Sequence, residues 1–260
     1  LTTTNSAPTI SGYSFSPSTV RADGVTTTTL TCTNVADIDN NIWTVTADLT
    51  SIGGSSTAAL SHTAGTNWTR PNITATSGTP DALYSINIMA KDRASATKTA
   101  TAALTIDTTP PDQSNWSPAK SSSLVISNPT ITFNTSENAD CKWSLTDQVY
   151  GSMAGDCTGD GTTSQSCATS GLPDGSDIVY IACKDSYNNA DTMASNEHVD
   201  YNIDSTPPAD ISFVYDGLSS DITYTASSSS LSANWATSSD SISGIARYWY
   251  SNGTTSGASD

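Results

Sequence analysis

Apolar and polar residues alternate along most of this chain with the period of two that marks a half-buried β-strand. Thr28, Leu30 and Cys32 fall on one face of the run from Thr26 to Asn34, and Tyr13 and Phe15 share a face between Ile10 and Val20. The runs Ile42 to Leu49, Tyr84 to Asp92 and Thr99 to Ile106 read the same way. Between them lie turn signals: Arg21-Ala22-Asp23-Gly24, where glycine suits a positive φ, and Asp37-Ile38-Asp39-Asn40-Asn41. About seven strands result, at the spacing of a β-sandwich. The pattern then restarts. Leu124 to Ile126, Pro129 to Asn134, Val179 to Asp185 and Val199 to Ile203 form a second set, and Val214 to Gly217, Asp221 to Tyr224, Leu231 to Trp235 and Ser243 to Tyr250 a third.

Two near-copies separate these sets. Ile106-Asp107-Thr108-Thr109-Pro110-Pro111-Asp112 and Ile203-Asp204-Ser205-Thr206-Pro207-Pro208-Ala209-Asp210 each follow an alternating run, and Asp107 and Asp204 are 97 residues apart. Proline lacks an amide hydrogen and restricts its predecessor, so Pro-Pro ends a strand and gives a short, stiff, extended spacer. A period near one hundred residues, punctuated in this way, predicts tandem units. The boundaries are 1–107, 108–204 and 205–260. The last span is too short for a third copy, so the chain reads as part of a longer protein, or as one whose final unit another chain completes.

Composition supports an all-β chain. Glu137 and Glu197 are the only glutamates against 23 aspartates, and Thr and Ser dominate. Aspartate favours turns and caps over helix interiors, whereas Thr, Val, Ile, Tyr and Trp build strands. A formal net charge of −16 argues against nucleic acid and anionic membrane surfaces as partners. No apolar run is long enough to insert in a membrane as a helix. Four of the five cysteines, Cys141, Cys157, Cys167 and Cys183, lie in the second unit. An even set in one domain predicts disulfides and an oxidising compartment. Cys32 is left over and reads as a small core residue.

The first unit resembles the immunoglobulin-like repeats of bacterial and archaeal surface proteins. The likeness rests on Ser16-Pro17, Ala22-Asp23-Gly24, the Trp43-Thr44-Val45 strand running to Gly53-Gly54, and the closing strands from Tyr84 to Asp107. The second, with Asn115-Trp116-Ser117-Pro118, Gly171-Leu172-Pro173-Asp174-Gly175 and Val179-Tyr180-Ile181-Ala182-Cys183-Lys184-Asp185, resembles a fibronectin type III-like or immunoglobulin-like repeat. The third resembles the first part of a fibronectin type III-like domain, which implies that Trp235 is its core tryptophan. The fold class expected is therefore tandem immunoglobulin-like and fibronectin III-like β-sandwiches joined by Pro-Pro linkers. The resemblance also implies that Cys141 and Cys183 lie on strands and pair, leaving Cys157 with Cys167. Four cysteines allow three connectivities, and the loop between Cys157 and Cys167 has the length of a hairpin.

The turn Asp185-Ser186-Tyr187-Asn188-Asn189-Ala190-Asp191 is rich in oxygen donors, though it lacks the EF-hand loop pattern. Together with the linkers it yields six candidate calcium ligands: Asp107, Asp112, Asp185, Asp191, Asp204 and Asp210. Asn67, Asn72, Asn115, Asn134 and Asn252 head Asn-x-Ser/Thr acceptor sequences for glycosylation. Neither His62 nor His198 sits in a catalytic motif, and there is no nucleophile elbow, zinc-binding His-Glu-x-x-His or phosphate loop. The reading is not an enzyme. It is an extracellular structural protein, the repeat stalk of a cell-surface filament, adhesin or surface-layer fibre, self-associating or joined to neighbouring surface proteins. The alternative is a set of carbohydrate-binding or spacer modules from a secreted hydrolase, with Trp68, Trp116 and Trp249 as candidate platforms for glycans.

Overall fold

The computed structural model describes residues 4–251. The first unit contains nine strands: β1 (Gly12–Ser16), β2 (Thr19–Val20), β3 (Thr28–Thr33), β4 (Ile42–Asp48), β5 (Ala58–Ala59), β6 (Ser61–His62), β7 (Trp68–Ile73), β8 (Ala82–Asp92) and β9 (Thr97–Ile106). They form two sheets, β1-β3-β7-β6 and β2-β9-β8-β4-β5. In chain order this is the immunoglobulin arrangement, with the first, second, fourth and fifth positions in one layer and the third, sixth and seventh in the other. Alternation along the chain found about seven strands. Pro17 divides the opening strand into β1 and β2, which join opposite sheets, and β5 and β6 are two-residue strands too short to alternate.

Thr28, Leu30 and Cys32 all point into the core, with Ile86, Ile88, Leu104 and Ile106 buried opposite them. Phe15 is buried, but Tyr13, on the same face of β1, is exposed.

The second unit contains β10 (Gln113–Ser117), β11 (Ser122–Leu124), β12 (Thr130–Ser144), β13 (Gly155–Thr158), β14 (Thr162–Ala168), β15 (Gly175–Asp185) and β16 (Glu197–Ile203). β12 serves both layers. Its first half pairs with β10 and β14, its second half pairs with β15 and β13, and the register shifts between Asn134 and Ala139. Ile131 and Phe133 from the first half meet Val179, Ile181, Val199 and Tyr201 in one core. Trp116 stacks on Phe133 with ring centroids 4.5 Å apart. A Ser-Pro peptide in cis leads from the first strand to the second in both units, at Ser16-Pro17 and Ser117-Pro118.

The structure joins Cys141 to Cys183 and Cys157 to Cys167. Each pair sits directly opposite on neighbouring antiparallel strands, with Cα atoms 4.1 Å apart. Both bridges therefore lie along a sheet, side by side with the backbone pairing. Cys32 is free and fully buried, and burial pushes its thiol up to about 11.

Among the described residues after Asp204, only β17 (Val214–Tyr215) and β18 (Asn234–Trp235) pair. Trp235 is 39% exposed and meets Tyr248 edge-on instead of filling a core. This differs from the role its sequence context implies. A core tryptophan needs a second sheet above it, and a two-stranded ribbon provides none. No helix of the described residues is long and apolar enough to cross a membrane.

Candidate metal centre

The two linkers are held in the same way. The carboxylate of Asp81, just before β8, accepts hydrogen bonds from Thr108 N at 3.0 Å and from the Thr109 hydroxyl. Asp174, just before β15, accepts from Ser205 N and Oγ, both at 2.7 Å, and from the Thr206 hydroxyl. β8 and β15 are the corresponding strands of the two sandwiches, so each unit grips the chain as it leaves. The hydroxyl of Thr206, followed by the amide and hydroxyl of Ser205, holds the Asp174 carboxyl down to about 2. At Asp81 burial works in the opposite direction, but the bonds from Thr109 and Thr108 together outweigh it and keep the acid below its ordinary range.

The downstream grip comes from the turn after the same strand. Lys91-Asp92 and Lys184-Asp185 end β8 and β15. Asp92 accepts from Ala96 N at 2.8 Å within its own turn and from Asn5 Nδ2 at 2.7 Å on the entering chain. Asp185 Oδ1 accepts from Tyr187 N and Asn189 N, each at 2.8 Å, and Oδ2 accepts from Asn189 Nδ2 at 2.7 Å. Asn189 Nδ2 also donates to Asp107 O at 3.1 Å, and Arg21 Nη1 donates to Asn188 O at 3.3 Å. The turn of the second sandwich thus touches the linker and the first sandwich directly.

At this joint a third acid enters. Glu137 sits at the bend of β12, between its two halves, where Ser136 and Asp112 exchange hydrogen bonds across the start of the second unit. Asp107, Glu137 and Asp185 each bring a carboxylate oxygen to within 4.8 Å of the others; Asp185 is buried and the other two are half-buried. Burial, then the charges of Asp107 and Asp185, push the Glu137 acid up to about 6. Burial also raises Asp107 above its ordinary value against the bond from Thr109 N, with the Asp185 and Asp81 charges adding to the rise. Three carboxylates, the main-chain oxygen of Asp107 and the Asn189 carboxamide make an all-oxygen donor set, the chemistry of a hard cation.

Of the six aspartates expected as ligands, the structure gathers Asp107 and Asp185. Asp112 takes part through its backbone, paired with Ser136. Asp191 is buried elsewhere and accepts from Cys183 N, Gln113 Nε2 and Ser195 Oγ, so its carboxylate ties the β15–β16 loop to β10. Asp204 lines a cleft with Asp240 at the second linker, and Asp210 is exposed. Spacing on linkers and turns could not separate these roles, because each turn places several aspartates close in sequence with side chains on opposite faces. Glu137 and Asn189 were missed. The signal for Glu137 was its rarity, as one of two glutamates in an aspartate-rich chain. The repeated Pro-Asp at Pro80-Asp81 and Pro173-Asp174 likewise marked the linker clamps.

Asn72, Asn115 and Asn134 are exposed and Asn67 is half-buried; Asn252 lies outside the described residues. Asn72 and Asn115 both have positive φ within strands, at 57°, a conformation asparagine tolerates better than most residues. Trp68 and Trp116 pack partly against the two cores, whereas Trp249 is 84% exposed.

No family model matches the chain, and no curated protein matches it. Among solved structures it is similar to InvD of Yersinia pseudotuberculosis, at 17% identity over 80% of this chain and a TM-score of 0.31. The chain spans 62% of that structure. It is similar to domains 4 and 5 of the S-layer protein SbsC at 13% identity, covering 75% of this chain and 98% of that one, with a TM-score of 0.32. Titin domains I67–I69 match at 10% identity over 76% of this chain and 66% of theirs, with a TM-score of 0.37. The assignment of the fold rests on the strand pairing described above.

Proposed function

We propose that this chain is an extracellular structural protein, a run of immunoglobulin-like sandwiches that forms part of a cell-surface stalk, filament or adhesin. The observation that carries this reading is the recurrence of one linker clamp at both ends of the second sandwich, Asp81 on Thr108 and Thr109, then Asp174 on Ser205 and Thr206. A protein whose work is to hold distance needs each unit to fix the direction of the next, and a repeated clamp does that. Two disulfides in one sandwich suit an oxidising exterior, and the net charge of −16 suits a solvated, self-repelling surface. Self-association into a fibre, or contact with neighbouring surface proteins, would use the exposed apolar residues after Asp204, such as Leu218, Leu231 and Tyr224. Glycans on Asn72, Asn115 and Asn134 belong to the same reading.

The test is display. Antibody labelling and protease shaving of intact producing cells should reach the sandwiches, and blocking free thiols before denaturation should label Cys32 alone once the chain is unfolded. Recovery in the cytoplasm with five free thiols would overturn the proposal. A second reading, a glycan-binding spacer, is favoured by one observation, the exposure of Trp249 beside Arg247, whose guanidinium lies 5.2 Å from the ring centroid. A glycan array with a Trp249→Ala control separates the two.

A further inference from the structure

We infer that Asp107, Glu137, Asp185 and the side chain of Asn189 form a divalent-cation site, with calcium the preferred ion, that fastens the first linker to the second sandwich.

Two independent observations lead to this site. The first is the gathering of three carboxylates from three separate segments: the end of the first sandwich, the bend of β12 and the β15–β16 turn. Like charges held this close repel, and no lysine or arginine pairs with any of the three among the described residues. The second is Asn189. Its residue is 1% exposed, its Nδ2 reaches Asp185 Oδ2 and Asp107 O, and its Oδ1 is buried with no hydrogen-bond partner. A buried amide oxygen without a partner is costly. Turning the carboxamide by half a rotation exchanges nitrogen and oxygen. The oxygen then faces Asp185 Oδ2 and Asp107 O, and all three become donors to one cation.

The donors also select the ion. Calcium accepts six to eight oxygens in flexible geometry, including main-chain and carboxamide carbonyls, whereas magnesium demands a near-ideal octahedron and sheds water reluctantly. Donors drawn from a linker, a strand bend and a turn suit the more permissive ion. Asp185 is already oriented by Tyr187 N and Asn189 N, so part of the cost of ordering the site is met by the fold. The inference goes beyond a structural role at the cell surface and stands apart from it, since the site depends only on the joint.

Calcium chloride titrated calorimetrically into the chelator-stripped full chain tests it. The expected result is one site per chain with a Kd of roughly 0.1–1 mM, the range of extracellular modules. Glu137→Gln should weaken binding at least about tenfold, as losing even an outer-sphere partner costs that much. Glu137 is the deciding position because its side chain has no hydrogen-bond partner among the described residues, so the variant keeps the fold, and an unchanged melting curve in chelator verifies this. Asp185→Asn should weaken binding as much, and Asp210→Asn not at all. Absence of binding heat at ten times the expected Kd, or equal affinity in wild type and Glu137→Gln, overturns the inference. Failure here with successful surface labelling would leave the structural role standing.

Discussion

Gly159 turns the chain between β13 and β14 with φ of +112°, and a Cβ there would lie 2.1 Å from the main-chain oxygen of Ser164. Backbone cannot yield as a flexible side chain can, so Gly159→Ala should destabilise the second sandwich by about 2–3 kcal/mol, read by chemical denaturation. Gly161→Ala, at φ of +70° with open space around it, should cost less. Asp174 makes a pH-dependent contribution. Its acid is held down to about 2 against an ordinary 3.8, so the clamp contributes fully above the unfolded value and is lost as pH falls through about 2. Asp174→Asn should abolish that acid-side dependence. The measurement is the melting temperature of the second sandwich between pH 4 and pH 2, and a slope unchanged in the variant would place the effect elsewhere.

The elements divide by how much of each was legible in the chain. Strands long enough to alternate, β3, β4, β8, β9, β15 and β16, were readable because one face meets a core and the other meets water. β5 and β6 were not, since two residues carry no period. β12 read as two runs because Thr135 to Ala139 breaks the alternation, and in the structure that break is the bend that carries Glu137 between the layers. The linkers were legible from Pro-Pro. Half of the metal centre was not, because Glu137 approaches it from a strand bend and Asn189 through burial, neither of which leaves a spacing signature. The disulfides allow a prediction at this scale. Cys141→Ala/Cys183→Ala opens a loop of sequence separation 42 and should cost about 4 kcal/mol, while Cys157→Ala/Cys167→Ala opens one of 10 and should cost about 3 kcal/mol. Equilibrium denaturation should place both losses in the second sandwich and leave the transition of the first unchanged.

Across the whole molecule, order is graded. The two sandwiches have continuous cores, whereas the described residues after Asp204 pair only through β17 and β18, with Leu218, Tyr224 and Leu231 exposed. Limited proteolysis with a broad-specificity protease should therefore cut first between 205 and 251 and leave a resistant core ending near Asp204. Early cuts at Thr108–Pro111 would instead mean that the Asp81 clamp does not protect its linker. A further consequence follows from the bridge between Cys141 and Cys183 when the chain is drawn taut from its two ends. Tension can pay out only the segments outside that bridge, and at roughly 3.4 Å per residue the 42 residues behind it withhold about 140 Å of slack. In single-molecule stretching the rupture step of this sandwich should lengthen by that amount after reduction, while the step of the first, with its lone Cys32, stays the same. Joined in series, one unit is a long-running spring and the other carries its own stop.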